Sequence, residues 1–339
     1  MSVCPTWTPL HARIHRTLLK RHLLERNQRI LVAVSGGQDS LCLMKLLLDL
    51  QPKWGWQLAI AHCDHRWRSD SQANAKYVEL LAKNWKTPFY CQTAPQPLPS
   101  EAVARQWRYE TLQAIAIANE YSCIVTGHTK SDRAETLLYN LIRGSGADGL
   151  QALSWKRSLA GSLVVVRPLL GVTRVETAQF CQDMQLQIWE DVTNQDLKYA
   201  RNRIRQELIP YIQTHFNQQV ESNLAQTAEI FQAEVEYLEQ AAHQLRQQAM
   251  PQVGLGENFP PSPLKLNRRV LQTAPLALQR RVMRQILQQT LPCAPSFAHV
   301  EKLTDLIAAP SGSQTDPFPG GAIALVDKDW LWLKQSYHD

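Results

Sequence analysis

Short apolar, β-branched runs alternate with stretches of helical spacing through the first two-thirds of the chain. Residues 30–34 (Ile-Leu-Val-Ala-Val), 58–62 (Leu-Ala-Ile-Ala-His) and 123–126 read as buried strands, with weaker ones at 89–91 and 164–166. Between them, apolar positions recur every three to four residues over 41–50, 73–84, 101–119, 131–142 and 174–185, which predicts helices. Strands alternating with helices predict an α/β fold, a parallel twisted sheet flanked by helices on both faces. From about residue 216 the texture changes. A long helical pattern over 221–250 is followed by a Pro/Gly-rich loop at 251–263 and further helical spacing over 264–290 and 298–309. Residues 323–326 and 330–333, separated by Asp327-Lys328-Asp329, read as a β-hairpin. The expected organisation is an α/β domain over 1–215 and a smaller, mainly helical accessory domain over 216–339. A chain of 339 residues is long enough to need two cores.

Composition narrows the class. Apolar residues at 44% and charged residues at 19% supply a core and exclude disorder as the main state. No apolar run approaches the roughly 18 residues of a membrane span. Segment 10–31 interrupts its apolar positions with Arg13, Arg16, Lys20, Arg21 and Arg26, so it predicts an amphipathic basic helix rather than an export signal. Seven scattered cysteines without a C-x-x-C pair fit reduced core thiols in a cytoplasmic protein. The net charge of +6 is unevenly placed: residues 1–215 hold 26 basic and 18 acidic side chains, and 216–339 hold 10 and 12. The first part suits a polyanion, nucleic acid or nucleotide phosphate, and equally suits an ordinary solvated surface.

The sharpest local signal is Ser35-Gly36-Gly37-Gln38-Asp39-Ser40, directly after the first strand and opening a helix. Adjacent glycines let consecutive N–H groups turn into one concavity, and the helix adds its positive end. Such a loop suits phosphate; an ordinary strand-to-helix turn capped by Asp39 is the bland alternative. It has neither the Walker A spacing nor G-x-G-x-x-G. Asp39 beside phosphates also suits a divalent cation such as Mg²⁺, held by one or two carboxylates plus substrate oxygens.

With those residues in view, the strand and loop resemble the N-type ATP pyrophosphatases, the PP-loop ATPases of the adenine nucleotide α-hydrolase-like fold. Further blocks, in order, resemble the tRNA(Ile)-lysidine synthetases of that superfamily. Glu101-Ala102-Val103-Ala104-Arg105-Gln106-Trp107-Arg108-Tyr109 matches E-A-x-A-R-x-x-R-Y, and His128 through Thr136 matches H-x-x-D-D-Q-x-E-T. Arg143 through Leu150 matches R-G-S-G-x-x-G-L; Arg167-Pro168-Leu169-Leu170, Glu190-Asp191 through Asn194, and Arg201-Asn202-Arg203-Ile204-Arg205 follow. The resemblance implies a ligase that joins L-lysine to the wobble cytidine of a CAU-anticodon tRNA(Ile), through an adenylated cytidine, turning ATP into AMP and pyrophosphate. Decoding would change from Met to Ile.

It also implies residue roles. Ser35, Gly36, Gly37, Gln38, Asp39, Ser40 and His62 would hold the nucleotide, with Asp39 on Mg²⁺. Asp132 and Glu135, three apart on one helix face, would receive the cationic lysine. Asp39, Asp132, Glu135 and Arg205 would carry catalysis, and Arg105, Arg108, His128, Arg201 and Arg205 would contact substrate. Read as residues alone, the Arg stripes suit internal ion pairs as well as phosphate: Glu101 with Arg105, and Arg201 or Arg205 with Glu190 or Asp191. His62 and His65 suit a strand-end hydrogen bond or a nucleotide contact better than a metal. One departure stands out, Ser131-Asp132-Arg133 where the family pattern has Asp-Asp-Gln. A tRNA thiolation enzyme with the same loop, and a tRNA binder that has lost catalysis, are the alternatives. Oligomeric state is open, a homodimer included.

Overall fold

The computed structural model describes residues 7–67, 70–159, 161–189, 196–250 and 264–335. The expectations on Glu190, Asp191 and Asn194 and on the loop 251–263 lie outside the described residues. The chain divides into two compact units, Met1–Gln232 and Ala233–Asp339.

In the first unit, helix α1 (Pro9–Lys20) precedes β1 (Arg29–Ala33), α2 (Gln38–Trp54), β2 (Gln57–Asp64), α3 (Ser71–Asn84), β3 (Phe89–Thr93) and α4 (Glu101–Ala118). Then come β4 (Cys123–Thr126), α5 (Lys130–Ile142), the single turn α6 (Ala147–Leu150), β5 (Lys156–Ser158), β6 (Val164–Val166) and α7 (Arg174–Asp183). The unit ends on α8 (Ala200–Arg203), a π-helical turn (Ile204–Leu208), α9 (Ile209–His215) and the start of α10 (Val220–Ala249). The basic helix expected over 10–31 stops at Lys20, and His22 and Asn27 take positive φ in the turns that lead into β1.

The six strands lie in the order β3-β2-β1-β4-β6-β5, all parallel except the edge strand β5. Ile30, Leu31 and Val32 of β1 are fully buried, as a strand covered on both faces must be. The chain leaves β1 towards β2 and β3 on one side and returns to β4 on the other. At such a switch point the loops after the two strands diverge and leave a crevice at their carboxyl ends.

The second unit is an antiparallel sheet β7-β9-β8 (Leu264–Asn267, Trp330–Gln335, Ala322–Asp327) with α11 (Arg268–Gln272), α12 (Leu276–Thr290) and α13 (Phe297–Asp305). Leu266, Leu271, Met283, Leu303 and Leu331 meet in its core. The hairpin at 323–333 forms as expected. Residues 264–290, expected as helix throughout, begin instead as a strand paired Leu264↔Leu333 to Asn267↔Trp330. Alternation buries Leu266 there, and Pro275 separates the two helices that follow.

The expected boundary at 215/216 differs from the contact division at 232/233, inside α10. The first turns of that helix are tied to the first unit through Glu229, which accepts a 2.7 Å bond from Trp155 Nε1 and pairs with Arg21 at 2.7 Å and with buried Arg133. Among the described residues, no helix is long and apolar enough to cross a membrane.

Candidate active site

The loop between β1 and α2 closes on itself and opens a helix whose first amides are left for a ligand. Gly37 is the N-cap of α2 and offers no side chain to cap it, so the first intrahelical bond is Leu41 N–H to Gly37 O at 3.0 Å. The amides of Gln38, Asp39 and Ser40 precede that bond and face the loop end of the helix. Ser40 Oγ accepts from Ser35 N–H at 3.2 Å and donates to Gly37 O at 2.8 Å, which closes the loop on itself. Gly36 sits at φ +89°, and a Cβ there would meet Asn74 Oδ1 at 2.4 Å. Gly36→Ala is therefore expected to lower stability by ~1–3 kcal/mol and to weaken phosphate binding at the loop, read by thermal unfolding and titration with inorganic pyrophosphate.

Asp39, in the first turn of α2, is buried against α7. Arg174 Nε donates to its Oδ2 at 2.9 Å, and the Thr177 hydroxyl donates to Oδ1. Burial pushes the Asp39 carboxyl above its usual range; Arg174 pulls it down, and the nearby charge of Asp132 pushes it further up. Gly127, after β4, touches this turn: a Cβ on it would lie 3.0 Å from backbone atoms of Asp39 and Ser40. The loops after β1 and β4 thus meet at the switch point, bringing Asp39 and Asp132 to one cavity.

Helix α5 supplies the second half of the site. Thr129 caps it, accepting from Asp132 N–H, while Asp132 Oδ2 accepts from the Thr129 amide at 2.7 Å and hydroxyl at 2.8 Å. Burial pushes the Asp132 carboxyl up, yet Arg174 and the two Thr129 donors hold it below its ordinary value. One turn on, Glu135 is 2% exposed and gripped through both oxygens by Arg205, at 2.6 and 2.7 Å. Burial raises the Glu135 carboxyl despite Arg205. Arg205 also lies 3.6 Å from Asp132. It projects from the π-helical turn, a local widening common at functional sites.

Two cavities join here. One, of about 210 Å³, is lined by Ser35, Asp39 and Ser40 of the loop, the ends of β1, β2 and β4, and Tyr109. The other, of about 270 Å³, is lined by Arg105, Glu135, Arg201, Arg205, Trp67 and Tyr199 among others. His65, Arg108, His128 and Asp132 line both. Arg105, Arg108, Arg167 and Arg201 crowd the junction, with burial and mutual repulsion depressing the Arg105 guanidinium. Arg201 pairs with Glu101 at 3.0 Å, so the stripe partner expected for Arg105 is taken by Arg201. Burial, with Arg167, Arg108 and Arg105, holds His128 well below its ordinary value, hence neutral, and its Nδ1 meets the Thr126 hydroxyl at 2.8 Å.

Of the nucleotide candidates, Ser35, Asp39 and Ser40 line the smaller cavity, and Gly36, Gly37, Gln38 and His62 line neither. The Gln38 side chain donates to Arg174 O at 2.8 Å and to the Thr177 hydroxyl at 3.0 Å, and the buried His62 ring bonds Val34 O through Nδ1 at 2.8 Å. His65, three residues on and past the strand end, reaches both cavities instead. The departures Ser131 and Arg133 face α10. The Ser131 hydroxyl donates to Glu221 at 2.6 Å and accepts from Arg174 N–H at 3.1 Å, and the buried Arg133 guanidinium bonds Glu229 and Gln232. Sequence reasoning missed Arg174, Thr177, Tyr109 and Arg167. It also missed the stacked pair Trp67 and Tyr199, with ring centroids 6.4 Å apart. Arg174 carried one available signal: it follows Thr173 in a T-x-x-E capping pattern that starts a helix.

Among the described residues no cluster of three His, Cys, Asp or Glu side chains forms a closed metal site. Mg²⁺ asks for less, one or two carboxylates completed by substrate phosphates and water. Asp39 and Asp132, two acids on the wall of the phosphate-loop cavity, fit that demand.

Comparison with known proteins identifies the family. Residues 9–212 match the PP-loop domain family, and residues 266–332 match the TilS substrate binding domain family. The chain is 67% identical over 334 residues to the tRNA(Ile)-lysidine synthase of Nostoc sp., covering 97% of each chain. It is 37% identical to the chloroplastic tRNA(Ile)-lysidine synthase of Zygnema circumcarinatum, over 89% of this chain and 81% of that one. Among solved structures, it resembles the U34-tRNA thiolase NcsA of Methanococcus maripaludis with a TM-score of 0.56 at 14% identity. That match covers 66% of this chain and 77% of the thiolase, and is a likeness of fold.

Proposed function

The chain belongs to the tRNA(Ile)-lysidine synthase family, and on that premise we propose that it ligates L-lysine to the wobble cytidine of a CAU-anticodon tRNA(Ile), using ATP. One observation carries the reading: a residual negative charge beside an arginine cluster, in cavities that join at the phosphate loop. Asp39, Asp132 and Glu135 face two cations among the described residues, Arg174 and Arg205, which leaves one negative charge to receive one ammonium group. Arg105 and Arg108 stand next to it with no ion-pair partner among the described residues. An amine and a polyanion are what this reaction must bring together.

In the first step the cytidine C2 oxygen attacks the α-phosphorus of ATP, forming an adenylated cytidine, and pyrophosphate leaves. The amides of Gln38, Asp39 and Ser40, at the positive end of α2, would stabilise the charge that develops on it. Mg²⁺, held by Asp39 with Asp132 near, would supply charge neutralisation on the phosphates. In the second step the lysine ε-amine attacks C2, the C–N bond forms and AMP departs. Only the neutral amine is a nucleophile, so its proton must go to an acceptor. Glu135, whose carboxyl burial biases towards protonation, suits that task when Arg205 loosens its grip, and Asp132 suits holding the ammonium. Arg105, Arg108, Arg201 and neutral His128 would hold the RNA strand at the junction. The product would pair with A rather than G, so decoding passes from Met to Ile.

The test incubates the protein with ATP, radiolabelled lysine and a CAU-anticodon tRNA transcript. Label in tRNA, with one AMP and one pyrophosphate per lysine, is the expected result. Sulfur transfer without lysine transfer, or tRNA binding without turnover, overturns the reading.

A further inference from the structure

On the outer side of α5 lies a second hollow, of about 680 Å³, that the proposed reaction does not use. Its walls include Tyr139, Ile142, Arg143, Arg203, Glu207 and Tyr211. Ile142 is 67% exposed and Tyr211 56%, an apolar and aromatic surface left open to solvent. We infer that this hollow seats an unstacked base of the single-stranded anticodon loop, a neighbour of the nucleotide that reacts. The inference rests on the reading that a tRNA anticodon is the substrate.

Three features select RNA as the occupant. First, the hollow lies next to the reaction site. The Arg201 guanidinium lines the larger cavity and lies 5.7 Å from the ring centroid of Tyr139, which lines the hollow. The π-helical turn does the same: Ile204, Glu207 and Leu208 face the hollow while Arg205 reaches the cavity. A strand with one nucleotide in the cavity therefore has its neighbours within reach. Second, the surfaces suit bases. Single-stranded RNA is held by stacking of bases on aromatic rings and guanidinium planes. Here Arg143 lies over the Tyr139 ring, 5.3 Å from its centroid, beside the exposed Tyr211. Third, the charges suit a phosphate strand. Arg143 and Arg203 rim the hollow, and Glu207 is the acid among its lining residues, an acceptor for a base amino group.

The experiment uses the full chain and steady-state lysine transfer. Tyr211→Ala is expected to raise the KM for tRNA roughly 5- to 150-fold, the range for one lost stacked base, with kcat within about twofold and the KM for ATP unchanged. A CAU transcript carrying an abasic site next to the wobble position should show the same rise with the unsubstituted protein. Combined with Tyr211→Ala, it should add nothing, because both changes remove one contact. Losses that multiply for abasic sites on both sides, or an unchanged KM for tRNA, overturn the inference. So does a shift in sedimentation with no kinetic effect, which would assign the hollow to a second copy. If the unsubstituted protein transfers no lysine to any tRNA, the functional reading fails instead. Ile142→Ser, on the same wall, guards against a folding artefact at Tyr211 and should move the same parameter.

Discussion

Arg205→Ala is expected to destabilise the first unit by about 2–3 kcal/mol at neutral pH and to cut lysine transfer by about 10²-fold. Removing one member of a buried pair leaves the other charge without compensation, and the remaining carboxylate is the more buried of the two. The Glu135 side chain is 3% exposed against 25% for Arg205, so the loss falls somewhat below that of a fully enclosed pair. The pH dependence identifies the cause. Burial already holds the Glu135 carboxyl above its ordinary value, and without Arg205 it rises further. A carboxyl raised in the folded state favours folding most below its unfolded pKa of about 4.5, and that contribution fades as pH climbs through the folded value. The deficit of the variant should therefore be smallest near about pH 5 and largest near about pH 8. Urea unfolding across that range checks it, and a deficit independent of pH would assign Arg205 a packing role. Arg205→Lys keeps the charge but not the two-pronged grip, and should fall between.

How this pair came to be is instructive about what the chain made legible. The strand pattern, the switch-point loop and the Asp132–Glu135 spacing all follow from local periods and from glycines with a mechanical job, so they are readable without a structure. The partner of Glu135 was not, because 70 positions separate it from Arg205. Spacing along one helix suggested pairing Glu101 with Arg105; the fold gives Glu101 to Arg201 across 100 positions. The same limit hid Arg174 on Asp39 and the Val34 carbonyl on His62. The strand at 264–267 was missed for a different reason. A four-residue run, Leu-Lys-Leu-Asn, is too short for period to separate strand from helix, and only pairing with β9 decides it. The family departures at Ser131 and Arg133 became intelligible through Glu221 and Glu229, eight residues apart on α10 and so on one face of it.

Asp39→Asn is expected to reduce pyrophosphate release by at least ~10²-fold while tRNA affinity stays within about twofold. The amide keeps the size of the side chain and still accepts from the Thr177 hydroxyl, so α2 and α7 should remain packed. Two things change. Arg174, paired with Asp39 at 2.9 Å, loses its counter-charge, and the phosphate-loop cavity loses one of its two carboxylates. These are separable. If Asp39 holds Mg²⁺ on the phosphates, the Mg²⁺ concentration for half-maximal pyrophosphate release should rise several-fold in the variant, and Arg174→Gln should leave that midpoint in place. If Asp39 works only by fixing Arg174, both variants should lose rate alike with the Mg²⁺ midpoint unmoved. A burial-raised carboxyl adds a second readout in the unsubstituted protein. Asp39 must be ionised to attract a cation, so Mg²⁺ should bind more weakly as pH falls into the carboxylate range, at a pH higher than for an ordinary Asp. The Asn variant has no such proton to release, and its Mg²⁺ dependence should lose that slope. An identical slope in both proteins would move the metal site away from Asp39.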